Sequence, residues 1–199
     1  PKYDGGIVSR LDSVSFGIVV NKEGLRFYDE GEDFWPKRYA IWGRLVAQQH
    51  EQIAYSIVDS KVKDHFIPSV FPPIEASSLD ELATELGVNS SSLINTVRHF
   101  NQAVQKGDYD SSKLDGKQTL GLSPDKTNWA LTLDCPPFLA YPLKPGITFT
   151  YLGLKINEQA QVLNQNNTPF DNVTAAGEIM AGNVLGEGYC SGTGKTIGG

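Results

Sequence analysis

The stretch that decides the reading lies at the end of the chain: Tyr189-Cys190-Ser191-Gly192-Thr193-Gly194-Lys195-Thr196-Ile197-Gly198. Its Gly194-Lys195-Thr196 core matches the tail of a phosphate-binding G-x-x-x-x-G-K-[ST] loop. The spacing fails, because the position that should hold the first glycine is Tyr189, and Gly188 comes one residue too early. The context fails as well. Such a loop leaves a hydrophobic strand, whereas Gly182-Asn183-Val184-Leu185-Gly186-Glu187 precedes this one. A glycine turn that opens a helix serves other ligands by the same physics, since its unpaired amides and positive dipole end attract an electron-rich group. The glycines at 182, 186, 188, 192, 194, 198 and 199 imply a backbone that turns sharply or approaches a ligand closely.

Outward from this tail, Leu152-Gly153-Leu154-Lys155-Ile156 and Ala160-Gln161-Val162-Leu163 read as paired strands leading to Thr174-Ala175-Ala176-Gly177-Glu178. Near the start, Phe16-Gly17-Ile18-Val19-Val20-Asn21 has the β-branched run of a short buried strand. Lys22-Glu23-Gly24 then turns into Leu25-Arg26-Phe27-Tyr28, a hairpin. Aromatic and aliphatic residues at mixed spacing predict a helix over 34–54, entered after Pro36. After a proline-rich connection at 68–73, Ser78-Leu79-Asp80-Glu81 has the S-x-x-E spacing of a capping box, with Gly87 as a stop. Asn89 or Ser90 caps a second helix, on which Leu93, Val97, Phe100 and Val104 form one apolar stripe that Gly107 ends. Residues 108–128 are polar and rich in Gly, Ser and Asp, and read as a loop.

The 199 residues are enough for one or two domains with a core of their own, and 40% hydrophobic against 20% charged residues is ordinary for a globular enzyme. A net charge of −6 argues against a nucleic-acid partner, because a negative field repels phosphate backbones. No run approaches the roughly 18 apolar residues that span a bilayer, and no signal-peptide pattern opens the chain, so a cytoplasmic location is expected. Cys135 and Cys190 have no C-x-x-C spacing and point to a reducing compartment, as buried thiols. His50, His65 and His99 lack metal-ligand spacing, and no metal site is expected. Pro1 at the start, Met180 as the only methionine and an end just where a helix would begin lead us to expect a piece of a larger protein.

Three signatures carry a family resemblance. The segment Thr174-Ala175-Ala176-Gly177-Glu178 followed by 189–198 resembles the C-terminal flavin-binding signature of the fumarate reductase/succinate dehydrogenase flavoprotein superfamily. Residues 17–30 are similar to that superfamily's G-x-x-V-N-x-x-G-x-R-F-x-[ND]-E passage into its capping domain, and 152–162 to its strand pair before A-A-G-E. Within it, Asp29-Glu30-Gly31-Glu32-Asp33-Phe34 and residues 147–155 resemble the FAD-dependent tricarballylate dehydrogenases, while the tail also resembles 3-ketosteroid dehydrogenases. The resemblance implies an α+β capping domain joined to part of a Rossmann-like FAD-binding domain. It divides the chain into a strand and hinge of the FAD domain at 1–20, a capping, substrate domain at 21–140 and a C-terminal FAD segment at 141–199. The G-x-G-x-x-G half that carries the ADP pyrophosphate is absent here, so the piece alone is expected to bind FAD poorly and to be inactive.

By the same resemblance the full-length enzyme moves a hydride between a carboxylate-bearing substrate such as tricarballylate and flavin N5, with an electron donor or acceptor protein as a partner. The alternatives are a 3-ketosteroid-dehydrogenase-like flavoenzyme or a noncatalytic module binding a nucleotide through Ser191-Gly192-Thr193-Gly194-Lys195-Thr196. Glu178, Gly194, Lys195, Thr196 and Phe149 are the cofactor candidates. Thr148, Tyr189 and Gly192 are the substrate candidates, with Thr148 and Phe149 standing where fumarate reductases show a His-His pair. Tyr189 takes the place of a substrate-binding arginine, and a phenol there hydrogen-bonds substrate without supplying charge. Phe34 occupies the aligned position of the proton-donor arginine of fumarate reductases, which leaves the nearby Arg38 and Arg44, with Tyr189, as catalytic candidates. A solvated helix face explains either arginine equally well.

Overall fold

A computed structural model of the chain describes residues 9–146 and 153–183, which fall into two compact units divided between Pro145 and Gly146. The first unit is built on a four-stranded antiparallel sheet of order β1 (Ile18–Asn21), β2 (Ala54–Asp59), β4 (Phe138–Leu143), β3 (Ile74–Ala76). Side chains alternate across a strand, so the sheet buries two faces. Ile18, Val20, Tyr55, Ile57, Phe138 and Ala140 face a helical pair, α2 (Leu79–Leu86) and α3 (Ser90–Ala103). On the other face, Val19, Ala54 and Leu143 pack with Val14 of a 3-10 helix (Ser9–Phe16) and with Trp42 and Val46 of α1 (Tyr39–Ala47), while Val58, Leu139 and Tyr141 pack with Val62.

The helical pair forms as its capping residues dictate. Ser78 Oγ accepts the Glu81 amide at 3.2 Å, and the returning Glu81 carboxylate takes the Ser77 amide at 2.8 Å and hydroxyl at 2.6 Å in place of the Ser78 amide. These hydrogen bonds hold the Glu81 pKa below the ordinary value. Gly87, at φ 63° and ψ 38°, closes α2 in the left-handed conformation that glycine adopts without a Cβ clash. Asn89 Oδ1 then accepts the Ser92 amide at 2.8 Å, and Leu93, Val97 and Phe100 are fully buried on α3. That helix ends at Ala103, before Gly107, because Val104 turns to ψ 123° and pairs with Thr119.

The helix expected over 34–54 is shorter. Trp35–Lys37 form a 3-10 turn, α1 stops at Ala47, and Glu51 and Gln52 take positive φ of 56° and 52° before β2 begins at Ala54. The apolar run entering β2 extends the helical pattern in sequence, yet its residues are buried on both faces of a sheet. The strand β4 is hidden by Pro142. This residue pairs with Tyr55, beyond the three residues that β3 contributes, so β4 has a strand on one side only where the proline sits. The expected hairpin after β1 is reduced to a single bridge between Val20 and Arg26. Residues 9–16, within the strand and hinge expected at 1–20, pack against the sheet of the first unit.

In the second unit β5 (Gln161–Leu163) and β6 (Pro169–Thr174) form an antiparallel pair around the turn at 164–168, where Asn164 Oδ1 accepts the amides of Asn166 and Thr168. Lys155 O accepts the Leu163 amide at 2.8 Å, and Ile156 bridges Val162, so residues 155–157 lie along β5. A 3-10 helix (Gly177–Asn183) follows and is tied back to this segment through Asn183. Its amide nitrogen donates to Leu154 O at 2.7 Å and its carbonyl oxygen accepts from Ile156 N at 3.1 Å.

Candidate flavin and substrate site

The loop after β1 is fixed by buried charge. Arg26 donates to Glu30 through Nε at 3.0 Å and Nη2 at 2.6 Å, and Glu30 Oε1 also accepts the Val19 amide at 2.8 Å. The third guanidinium nitrogen reaches Pro124 O at 2.8 Å, which ties this loop to the stretch before Trp129. Asp29 accepts the Thr127 amide at 3.0 Å and hydroxyl at 2.7 Å, and the Asn128 side chain donates to Gly31 O at 2.8 Å. A Cβ on Gly31 would lie 2.4 Å from Asn128 O, so only glycine allows this approach. Lys126 is wholly buried, and its ammonium donates to Ser15 O at 2.8 Å and Gly17 O at 2.7 Å. Burial pushes its pKa down to about 8, against an opposing pull from the Glu30 charge.

This framework presents Phe34 and Trp35 to Trp129, with the Phe34 and Trp129 ring centroids 5.4 Å apart. Phe34, Trp35 and Trp129 line a small pocket with Ser15, Phe16 and Ser111. Arg38, whose amide donates to Trp35 O at 2.8 Å, follows directly and pairs with Glu32 at 3.2 Å and Asp33 at 3.9 Å. Arg44 is exposed on α1 and has no partner among the described residues. The two arginines are thus separated: Arg38 is half-buried and paired with carboxylates, and Arg44 is roughly two turns further along the chain and in solvent.

In the second unit the segment Ala175-Ala176-Gly177 turns at Gly177, with φ 78°, into the 3-10 helix that carries Glu178. The Glu178 side chain is half-buried and has no hydrogen bond or ion pair among the described residues. Gly153 packs against this turn so tightly that a Cβ would lie 1.7 Å from Ile179 O. Small residues beside an uncommitted carboxylate fit a flavin nucleotide: they let the group come close, and Glu178 supplies an acceptor for its hydroxyls. The other candidates, Thr148, Phe149, Tyr189, Gly192, Gly194, Lys195 and Thr196, lie outside the described residues.

Cys135 departs from the expected buried thiol: it is exposed and accepts from Ser60 Oγ at 3.2 Å. Among the described residues, no cluster of His, Cys, Asp and Glu side chains could hold a metal ion, and no helix is long and apolar enough to cross a membrane. The contributions of Lys126, Asn128 and Trp129 were missed in the sequence, where 108–128 read as a loop; the one signal was a tryptophan directly after a polar stretch.

Comparison with known proteins supplies the chemical context. The sequence profile described as FAD binding domain matches residues 10–197. The chain is 30% identical over 183 residues to the NADH:acrylate oxidoreductase of Vibrio harveyi, covering 85% of this chain and 16% of that protein. It is 30% identical over 171 residues to the NADH:fumarate oxidoreductase of Klebsiella pneumoniae, covering 83% and 17%. In fold it is similar to a 3-ketosteroid delta1-dehydrogenase of Sterolibacterium denitrificans, with TM-score 0.66 and 21% identity over 92% of this chain and 37% of that one. The chain therefore spans about a sixth of the length of these two oxidoreductases. With a profile match that runs nearly from end to end, the chain belongs to the FAD binding domain family and is related to the fumarate reductase flavoproteins, whose cofactor is FAD.

Proposed function

We propose that the full-length protein is an FAD-dependent oxidoreductase acting on a C–C bond of a carboxylate-bearing substrate, with tricarballylate as the first choice. The observation that carries this reading is the family match across residues 10–197; the similarity of 29–34 and 147–155 to tricarballylate dehydrogenases supports the substrate. FAD, when bound, takes up or gives the hydride. Glu178, Gly194, Lys195, Thr196 and Phe149 hold the cofactor, the loop amides favouring the charge that builds up on its ring upon reduction. Thr148, Gly192 and Tyr189 hold the substrate. Arg38 binds a substrate carboxylate in competition with Glu32 and Asp33, or carries the second proton, and Arg44 is the weaker candidate because it stands in solvent.

A second reading, a 3-ketosteroid-dehydrogenase-like enzyme, is favoured by Phe34: it places no charge where fumarate reductases have their arginine. A cytoplasmic location and a separate redox protein as electron partner belong to the same proposal. The test is anaerobic mixing of the yellow full-length protein with tricarballylate and with a 3-ketosteroid. Bleaching of the visible flavin band by the acid supports the first reading, bleaching by the steroid the second, and bleaching by neither, with no reoxidation by an unsaturated acid, overturns both.

A further inference from the structure

Arg38 stands beside two carboxylates without a two-pronged bond to either. Its Nε is 3.2 Å from Glu32 Oε2, yet this nitrogen is out of water and has no hydrogen-bond acceptor, so its N–H is not aimed at that oxygen. Its Nη2 is 3.9 Å from Asp33 Oδ2, beyond hydrogen-bond range. A guanidinium next to an acid ordinarily takes it in two parallel N–H···O bonds, the strong geometry of this pair. Here both acids are engaged elsewhere. Glu32 Oε2 accepts the Tyr28 hydroxyl at 2.8 Å. Asp33 accepts the Phe34 amide at 2.7 Å and the Lys37 ammonium at 3.1 and 3.2 Å.

The Tyr28 donor is fixed in place, because its ring stands edge-on to the buried Trp42 with centroids 5.7 Å apart at 84°. Burial, together with the Glu32 carboxylate, pushes the Tyr28 pKa up, so the phenol keeps its proton. The charges of Glu32 and Asp33 are matched by those of Lys37 and Arg38, and an incoming anion meets no excess of negative charge from these four residues. A charged donor held out of water without an acceptor is costly until one arrives. The acceptor that matches a planar guanidinium is another carboxylate.

We infer that Tyr28 is a positioning residue for Arg38: by holding the Glu32 carboxylate it keeps that acid from closing on the guanidinium, whose N–H groups are left for a carboxylate of the substrate. That the bound carboxylate belongs to a substrate rests on the oxidoreductase reading; the hold of Tyr28 on Glu32 does not.

The full-length flavin-loaded protein is titrated calorimetrically with tricarballylate. Tyr28→Phe frees Glu32 to pair with Arg38 and should weaken binding about three- to tenfold, the range between an exposed ion pair and a charged hydrogen bond. Glu32→Gln removes the competing charge and should tighten binding about threefold. The double variant should match Glu32→Gln alone within about twofold, because the phenol acts only through that carboxylate. A tyrosine that merely packs against Trp42 would give a loss that Glu32→Gln does not restore. Thermal melts report whether the Tyr28 variants fold, and Glu32→Gln tests the inference by itself, since weaker binding there contradicts it. No binding by the wild type, unchanged affinity in Tyr28→Phe, an unrescued double variant, or a loss that falls on FAD affinity instead each overturn the inference. Flavin bleaching by tricarballylate with Tyr28→Phe unaffected removes this role and leaves the oxidoreductase standing. The expected pattern in a protein whose flavin tricarballylate does not bleach keeps the Arg38 site and removes the redox reading.

Discussion

Arg26 and Glu30 form a two-pronged ion pair almost entirely out of water, with side chains 6% and 0% exposed and a closest approach of 2.6 Å. The pair joins three segments, since Glu30 also accepts the Val19 amide of β1 and Arg26 also donates to Pro124 O. Through it the Arg-Phe-x-Asp-Glu signature fixes the loop after β1 to that strand and to the stretch around Pro124. Removing one partner of such a pair leaves a buried charge and, here, an unpaired amide.

Glu30→Ala is therefore expected to cost about 3–5 kcal/mol of stability, as broken buried pairs do. Urea unfolding of the wild type and the variant measures it, and a loss below about 1 kcal/mol, the range of exposed pairs, contradicts this account. Replacing both residues with apolar ones of similar volume should recover part of the loss.

Lys126 makes stability depend on pH in the alkaline range. Its ammonium is buried, and its folded pKa of about 8 lies below the value of 10.5 for the exposed side chain. Below about pH 8 both states are protonated and stability is level. Between about 8 and 10.5 the folded state releases a proton that the unfolded state keeps, so unfolding takes one up and stability rises with pH. The urea midpoint of the wild type should increase over that interval, and Lys126→Met should flatten the rise while losing the two carbonyl hydrogen bonds to Ser15 and Gly17. A falling midpoint in the wild type contradicts a Lys126 pKa lowered by burial.

The elements legible in the sequence were those specified locally. Ser78, Gly87 and Asn89 act through their own side chains or backbone on the nearest amides, and the stripe of Leu93, Val97 and Phe100 repeats at helical spacing. Strand β2 and the pocket were not legible because distant residues specify them. Tyr55 and Ile57 are strand residues by virtue of pairing with Pro142 and Ala140, and Lys126, Asn128 and Trp129 gain their roles from contacts about a hundred residues away in sequence. Of the candidate site, the family signatures pointed to Glu178 and to the position of Phe34, with Arg38 and Arg44 only nearby. They gave no hint that Phe34 would face a second, strained aromatic residue.

Arg38 and Arg44 should separate sharply in activity. Arg38 is half-buried and held by Glu32 and Asp33, while Arg44 is exposed and without a partner among the described residues. In the full-length enzyme, Arg38→Gln should lower kcat/KM about a hundredfold or more, the scale of a lost positioned proton carrier or charge, and Arg44→Gln should change it less than about threefold. The reverse order in steady-state kinetics transfers the role to Arg44.

Gly153 controls the turn that carries Glu178. It sits at φ 56°, its absent side chain makes room for Ile179 O, and the neighbouring Leu154 amide donates to that same oxygen at 2.6 Å. Gly153→Ala adds a left-handed strain and a methyl group 1.7 Å from a backbone oxygen, so the turn at 177–179 has to move. If Glu178 accepts from the flavin nucleotide, that displacement and the direct change Glu178→Ala act on the same bond. Both should weaken FAD binding by the full-length protein about ten- to a hundredfold, the cost of a charged hydrogen bond, but only Gly153→Ala should also lower the unfolding temperature. Flavin fluorescence titration gives the affinities and thermal melts the stabilities. Undiminished FAD affinity in Glu178→Ala takes the carboxylate out of the cofactor site, and the effect of Gly153→Ala is then one of folding alone.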